Sequence, residues 1–512
     1  MSPNSFLLPP SVGDQGERVL GHHTRCDRAT ALLPTPPCGR IVTAMQDLGY
    51  IFEPKSVAVV GATTNPNTVT NVTFLRQLLD FGYQGRIYPV NPHASEILGL
   101  KAYAGIRDIP EPVDYVVCAI AAPHTPKLMQ ECVAAKVKVV SMYTAGFSET
   151  GEEGAKLERE VVAIARQGGV HVLGPNCLGI HCPKAGLSLV GSISRESGHV
   201  GLLSQSGGNG QDMILGLAQR QIYASKLVSF GNAADLNESD LLEYMGQDDD
   251  TQVIGIYIEG IRQPDRFARI LRQVATAKPV IILKGGKSPA GSGAVRLHSG
   301  ALAGSREVWD TLCGQAGAMQ VHDLKEMIDT IQAFVYLDPP HGRRVGIIGI
   351  GGGANVLATD ACESAGLTVP GFPPEVRAEL RRFTPAAGTG LRNPVDTLGK
   401  VYVDSSVLSK TVSVVAGWSG VDVLLVSFPM LLGVRLGIQY LRDGIEAVAQ
   451  AAKGAGKPVA IILHTAGFAE GEIMAWELQK QCLAAGVPAY WTFTQAAQAV
   501  NLLVSYYEQR SP

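Results

Sequence analysis

Short apolar runs, dense in Val and Ile, recur along the chain from residue 48 onward, separated by longer stretches whose apolar positions return every third or fourth residue. The first set of runs lies at 56–60, 86–90, 115–120, 137–141 and 171–173. Each is apolar almost throughout rather than at alternate positions. That predicts strands buried on both faces, hence a parallel sheet covered by helices on either side. The pattern restarts at 200–204, continues at 253–258 and 279–283, and closes in a predicted helix over 323–336. Asp338-Pro339-Pro340-His341-Gly342 then reads as a linker, because paired prolines and a glycine end regular structure. A third round follows at 345–349, 421–426 and 459–463. The predicted fold class is α/β, with three doubly wound parallel-sheet domains: a Rossmann-like unit over 47–183 and two flavodoxin-like units over 184–338 and 339–512. Residues 1–46 carry Pro, Gly, Arg and paired histidines without any period and read as a disordered extension. A start at Met45 and a transit peptide are the alternatives there, the second weakened by Asp14, Glu17 and Asp27.

Composition narrows the partners. At 512 residues the chain is too long for one core and suits about three units of roughly 100–200 residues. A net charge of −3 with no block of Lys and Arg leaves no electrostatic footprint for nucleic acid or an anionic membrane. Small molecules are the expected ligands. The nine cysteines include no CxxC pair and no cluster with histidines, so reduced structural thiols are expected and no metal site. No apolar run reaches the ~18 residues needed to span a bilayer, and the start of the chain does not follow the order of a secretory signal. The expected location is the cytoplasm.

In open parallel sheets ligands bind beyond the carboxyl ends of the strands, so the loops there carry the candidate chemistry. Gly61-Ala62-Thr63-Thr64 follows the first run with one glycine where a dinucleotide site would show GxGxxG, and Asn91-Pro92 stands after Val90 where a ribose-binding acid would stand. Nicotinamide binding is disfavoured; a backbone-lined turn for a phosphorylated cofactor and an ordinary tight turn both remain open. Asn176-Cys177 closes another strand, and Cys177 reads as a passive thiol in a tight loop rather than a nucleophile. Ser204-Gln205-Ser206-Gly207-Gly208 precedes an amphipathic helix, where free N–H groups and the helix dipole would hold a phosphate at Ser206 and Gly207. Ser at 204 breaks the GxSxG pattern of a hydrolase elbow, and a glycine turn without a ligand is the plainer alternative. The stretch 284–304 is so rich in glycine that it reads as a mobile loop, with His298 at its end among small residues. It contains Gly-Lys-Ser, but Ile281 stands where a P-loop needs glycine. A neutral imidazole can attack phosphorus if a carboxylate holds its other nitrogen, and Glu259, ending an apolar strand, is the candidate carboxylate. A solvent-facing histidine and a solvated edge carboxylate are the competing readings.

Taken in order, Phe52-Glu53-Pro54-Lys55-Ser56, Tyr88-Pro89-Val90-Asn91-Pro92, Ala145-Gly146-Phe147-Ser148-Glu149, Gly174-Pro175-Asn176-Cys177-Leu178-Gly179, Ser204-Gln205-Ser206-Gly207, Ser229-Phe230-Gly231-Asn232-Ala233-Ala234-Asp235, His298-Ser299-Gly300-Ala301 and Asn393-Pro394-Val395-Asp396 resemble the α part of ADP-forming acetyl-CoA synthetases, and more distantly the succinyl-CoA synthetase α subunit. The resemblance spans about residues 48–505. It implies an acid-thiol ligase in which CoA lies along Gly61, Thr63, Thr64, Val90, Asn91 and Pro92 with its thiol end toward Asn176. It implies further that His298 is the phosphorylated residue, Glu259 its orienting carboxylate, and Ser206 and Gly207 the phosphate turn. ATP or ADP and Mg would come through a separate ATP-grasp β subunit, in an α2β2 assembly, with a carboxylic acid as substrate. Ser299 replaces the family's usual Thr and His93 its frequent Lys. The rival reading is a non-catalytic CoA-binding regulator or scaffold of the same fold.

Overall fold

In the computed structural model, residues 48–63, 69–191, 193–299, 306–349, 351–384, 390–396 and 404–510 are described; the extension 1–46 and Thr64 lie outside this set, as do the side chains at 296–299. The apolar runs become strands of three sheets. The first holds β1 (Ser56–Val60), β2 (Arg86–Val90), β3 (Tyr115–Cys118), β4 (Val139–Met142) and β5 (His171–Leu173), in the order β2-β1-β3-β4-β5, all parallel. β1 is buried along its whole length, as the unbroken Ser-Val-Ala-Val-Val run requires of a central strand covered on both sides.

The second sheet is built from β6 (Gly179–Cys182), β7 (Leu187–Ser188), β8 (Val200–Ser204), β9 (Ala224–Ser229), β10 (Val253–Ile258), β11 (Val280–Lys284) and β12 (Met319–Val321), ordered β12-β11-β10-β8-β9-β6-β7. Its five central strands are parallel, and β6 and β7 form an antiparallel flap on the β9 edge. The third sheet runs β14-β15-β13-β16-β17-β18, from β13 (Val345–Gly349), β14 (Gly390–Leu391), β15 (Val395–Asp396), β16 (Val423–Pro429), β17 (Val459–His464) and β18 (Ala489–Tyr490). Setting aside the antiparallel flaps, each sheet repeats one order: second strand, first, third, fourth, fifth. That order puts the second strand on one side of the first and the later strands on the other. The helices on either side of that reversal diverge, leaving a crevice beyond the ends of the first and third strands.

The three sheets are not independent layers. One apolar core joins sheets one and two through Phe52, Tyr115, Phe230 and Phe267; a second joins sheets two and three through Phe334, Tyr490 and Tyr506. In the latter, helix Leu324–Tyr336, capped by the Asp323 side chain on Glu326 N–H, packs on helix Phe493–Glu508, which starts in a Thr492/Gln495 capping box. The buried Arg220–Asp329 pair at 2.7 Å ties the start of this contact to the second sheet.

The element that bears most on the site differs from the sequence expectation. The glycine-rich stretch read as a mobile loop contains helix α2 (Pro289–Ser299), following α1 (Gly207–Ala218). Pro289 suits the first helical turn because it has no N–H to leave unpaired, and Ser288 Oγ caps the turn by accepting the Gly291 N–H at 3.0 Å. His298 lies in the last turn of α2. The helix packs on the short turn Ser148–Thr150 of the first unit.

Candidate functional site

The candidate residues gather at the crevices of the first two sheets. Gly61 leaves β1 with φ of +88°, a left-handed conformation, and a Cβ added there would lie 2.6 Å from the Ala119 carbonyl oxygen. Only glycine fits, so the turn presents bare backbone at the crevice between β1 and β3. Asn91, at the end of neighbouring β2, donates its side-chain amide to the Ala62 carbonyl at 2.7 Å and accepts the His93 N–H at 2.7 Å. Gly61, Val90 and Asn91 therefore form one continuous rim. Pro92 follows, exposed, and Thr63, two residues after Gly61, is partly buried.

A cavity of about 540 Å³ opens between the first and second sheets, within the usual range of roughly 300–1,000 Å³ for small-molecule sites. Ala119 and Ile120 at the end of β3 form one wall and Asn176 and Leu178 after β5 another; Gln205, Ser206 and Gly207 close it from the second sheet. Because Gly61 backs directly onto Ala119, the rim and the cavity are adjacent. The residues fit an elongated, phosphorylated thiol cofactor: backbone at the rim, a side-chain amide at Asn176, and helix N–H groups at the far end. Asn176 itself sits at φ of +55°, a conformation Asn tolerates better than other side-chain-bearing residues, held by its N–H to the Thr144 carbonyl at 3.0 Å.

Ser206 is the N-cap of α1, its Oγ accepting the Asn209 N–H at 3.3 Å. The first N–H groups of α1 therefore open toward the cavity, where an anion is favoured. Gln205, which the sequence reading passed over, links this turn to the candidate carboxylate: its Oε1 accepts the N–H groups of Glu259 and Gly260 at 2.5 and 3.0 Å. No residue pattern marks a glutamine for that task; it follows from β8 and β10 lying side by side. Glu259 is 3% exposed and accepts the Tyr257 hydroxyl at 3.0 Å, so it is a buried carboxylate rather than a solvated edge residue. The ring of His298 is outside the described side chains; the backbone places its helix beside the first unit at Ser148–Thr150. Cys177 lines the cavity but is 3% exposed, and burial pushes its thiol up to about 11, which makes it a poor nucleophile.

Lys284, at the end of β11, was also not singled out from sequence. It is 5% exposed, donates to the backbone carbonyls of Glu259 (2.7 Å) and Gly285, and lies over the Trp309 ring. Burial lowers its pKa from 10.5 to about 8, against the attraction of Glu259. Between about 8 and 10.5 the unfolded chain binds the proton that the folded chain has released, so stability rises with pH across that window. The unfolding free energy of wild type relative to Lys284→Met is therefore expected to be flat below pH 8 and to climb above it. Denaturant titrations of both proteins at stepped pH values read this, and a constant difference would refute it.

Residues 55–183 match the family described as CoA binding domain, 197–334 the succinyl-CoA ligase like flavodoxin domain, and 345–509 the ligase-CoA domain. Over 459 residues the chain is 34% identical to the acetate–CoA ligase (ADP-forming) II subunit alpha of Pyrococcus furiosus, covering 89% of this chain and 97% of that one. It is 34% identical over 457 residues to acetate–CoA ligase (ADP-forming) I of Archaeoglobus fulgidus, covering 89% of this chain but 63% of that longer one. A solved structure of the dinucleotide-forming acetyl-coenzyme A synthetase 1 of Ca. Korarchaeum cryptofilum, in complex with phosphate and ADP, superposes with a TM-score of 0.78 at 30% identity, over 91% of this chain and 98% of that one. With three successive family matches, an alpha subunit matched over nearly its whole length, and the same fold, the chain belongs to the ADP-forming acyl-CoA synthetases, a family of acid-thiol ligases.

Proposed function

We propose that this protein is the α-type subunit of an ADP-forming acyl-CoA synthetase working through acyl phosphate and phosphohistidine. CoA would lie along the rim at Gly61, Thr63, Thr64, Val90, Asn91 and Pro92, with its thiol end in the cavity beside Asn176. In the phosphorylating direction, inorganic phosphate held at Ser206 and Gly207 attacks the thioester carbonyl of an acyl-CoA; the C–S bond breaks and CoA leaves as the thiol. The α1 N–H groups are already oriented toward the anion, so they stabilise charge without reorganising. The His298 imidazole then attacks phosphorus of the acyl phosphate, releasing the carboxylic acid, while Glu259 takes hold of the opposite ring nitrogen. ADP accepts the phosphoryl group from His298 to give ATP, and run backward the sequence activates an acid.

The observation that carries this reading is the shared cavity: Asn176 from the first unit faces Ser206 and Gly207 at a helix N-terminus of the second. A thioester and a phosphate need that juxtaposition. The relatives named as alpha subunits support a separate nucleotide-binding partner of ATP-grasp type, in an α2β2 assembly, that would supply ATP or ADP and Mg. The test is to combine the full chain with such a partner, ATP, Mg, CoA and a panel of carboxylic acids. Acyl-CoA formed together with ADP and phosphate is expected. Release of AMP instead, or CoA binding without ligation of any acid or phosphorylation of the chain, would overturn the reading in favour of another chemistry or a scaffold.

A further inference from the structure

Two segments singled out by sequence, 145–149 and 229–235, take no part in the chemistry above, yet they meet where the first two sheets adjoin. Glu149 accepts the N–H groups of Gly146 and Phe147 on one oxygen at 2.6 and 3.0 Å, and the Asn232 side-chain amide on the other at 2.6 Å. The same amide nitrogen, in a residue 1% exposed, lies 3.0 Å from the Glu158 carboxylate and 3.2 Å from Ser148 Oγ. Arg262 completes the knot, donating through Nε to the Asn232 carbonyl at 3.1 Å and standing 3.6 Å from Glu158. Burial alone would raise the Glu149 pKa; the Asn232 amide and the two backbone donors hold it below the usual carboxylate range, so Glu149 is an anion here.

Both ends of this turn matter. Ala145, at its head, lines the cavity, and Ser148–Thr150, at its tail, supports α2, the helix that carries His298. The geometry points to Glu149 as a positioning residue that, clasped to Asn232, sets the 145–150 turn as a wall of the cavity and as the seat of α2. Its kinetic consequence rests on the phosphohistidine reading; its structural consequence does not.

The donor and acceptor roles give a direct test. Glu149→Gln sets an amide donor against the Asn232 donor, and Asn232→Asp sets a third carboxylate against those of Glu149 and Glu158. In the full chain with its nucleotide-binding partner, each single variant is expected to lower kcat about 10²-fold, the scale of a misplacement of about 1 Å, while CoA affinity by titration stays within about threefold of wild type. Amide hydrogen exchange on the chain alone should quicken at 145–150 and 289–299 in the single variants. Wild-type kcat and exchange in both single variants would overturn the clasp. Glu149→Asp keeps the charge but is one methylene short of both partners. It replaces a single variant that does not fold, and unchanged exchange at 145–150 in it would count equally against the proposal. Because exchange is read without turnover, a failure of the His298 chemistry leaves that arm intact and is recognised separately.

Discussion

Substituting Asn for His298 is expected to abolish labelling of the chain by γ-labelled ATP in the presence of the nucleotide-binding partner, and to lower ligation by on the order of 10⁴-fold or more, the scale seen when a covalent nucleophile is removed. Asn approximates one edge of the imidazole but offers no nitrogen lone pair able to attack phosphorus, so shape is approximated and chemistry is lost. In wild type the label should resist base and be lost in acid, as a phosphoramidate is. Glu259→Gln, which keeps the shape but loses the charge, is expected to slow labelling by a smaller factor, about 10²- to 10⁴-fold. Glu259 is suited to the role because it is 3% exposed and its backbone is locked by Gln205 and Lys284, so the carboxylate has little freedom to move elsewhere. Label retained at wild-type level in His298→Asn would remove the histidine from the mechanism while leaving the CoA rim and the family unaffected.

The second large effect is structural. Gly231 has φ of +49°, and a Cβ there would stand 2.2 Å from the Pro175 carbonyl oxygen and 2.4 Å from that of Asn176. Gly231→Ala thus combines a left-handed conformation, costing roughly 1–2 kcal/mol, with an overpacked contact costing roughly 1–3 kcal/mol, for a total of about 3 kcal/mol. The neighbouring hydrogen bonds, Asn232 N–H to Pro175 carbonyl and Ala234 N–H to Gly174 carbonyl, both at 2.9 Å, leave the 229–235 segment little room to retreat. The atoms pushed are those that aim Asn176 into the cavity, so CoA-dependent activity should fall along with stability. Denaturant unfolding of wild type, Gly231→Ala and the control Gly314→Ala reads the first effect. Gly314 is in a helix with open space around its Cβ position, and alanine there should be neutral or mildly stabilising. A Gly231→Ala protein within about 0.5 kcal/mol of wild type would show that the two segments are not held together as described.

The contrast between strands explains what could be read beforehand. β1, β8 and β13 are central strands with unbroken apolar sequence, and their positions are legible from the pattern alone. β9 escaped notice because Lys226 interrupts it; the lysine is nonetheless 5% exposed, its charge matched by both oxygens of Asp248 at 2.8 Å. A buried charge with a distant partner is indistinguishable, in sequence, from a surface charge. The two-residue strands β14, β15 and β18 are too short for any period; β15 and β18 pair along the longer β13 and β17, and β14 pairs along β15. Helix α2 was obscured by its glycines, whose helical disfavour is about 1 kcal/mol each and can be offset by a cap and by packing on the 148–150 turn.

For the site, local chemistry and global arrangement divide in the same way. Glycine where φ is positive, a serine before a helix, a glutamate closing an apolar strand and a histidine among small residues are all statements about one residue and its neighbours, and the amino-acid sequence alone carries them. Gln205 under Glu259, Lys284 across the ends of two strands and Asn232 against Glu149 join residues from 25 to 83 positions apart. Only the order of strands in the folded chain brings such residues within hydrogen-bonding distance, because no local propensity encodes which strand will lie beside which.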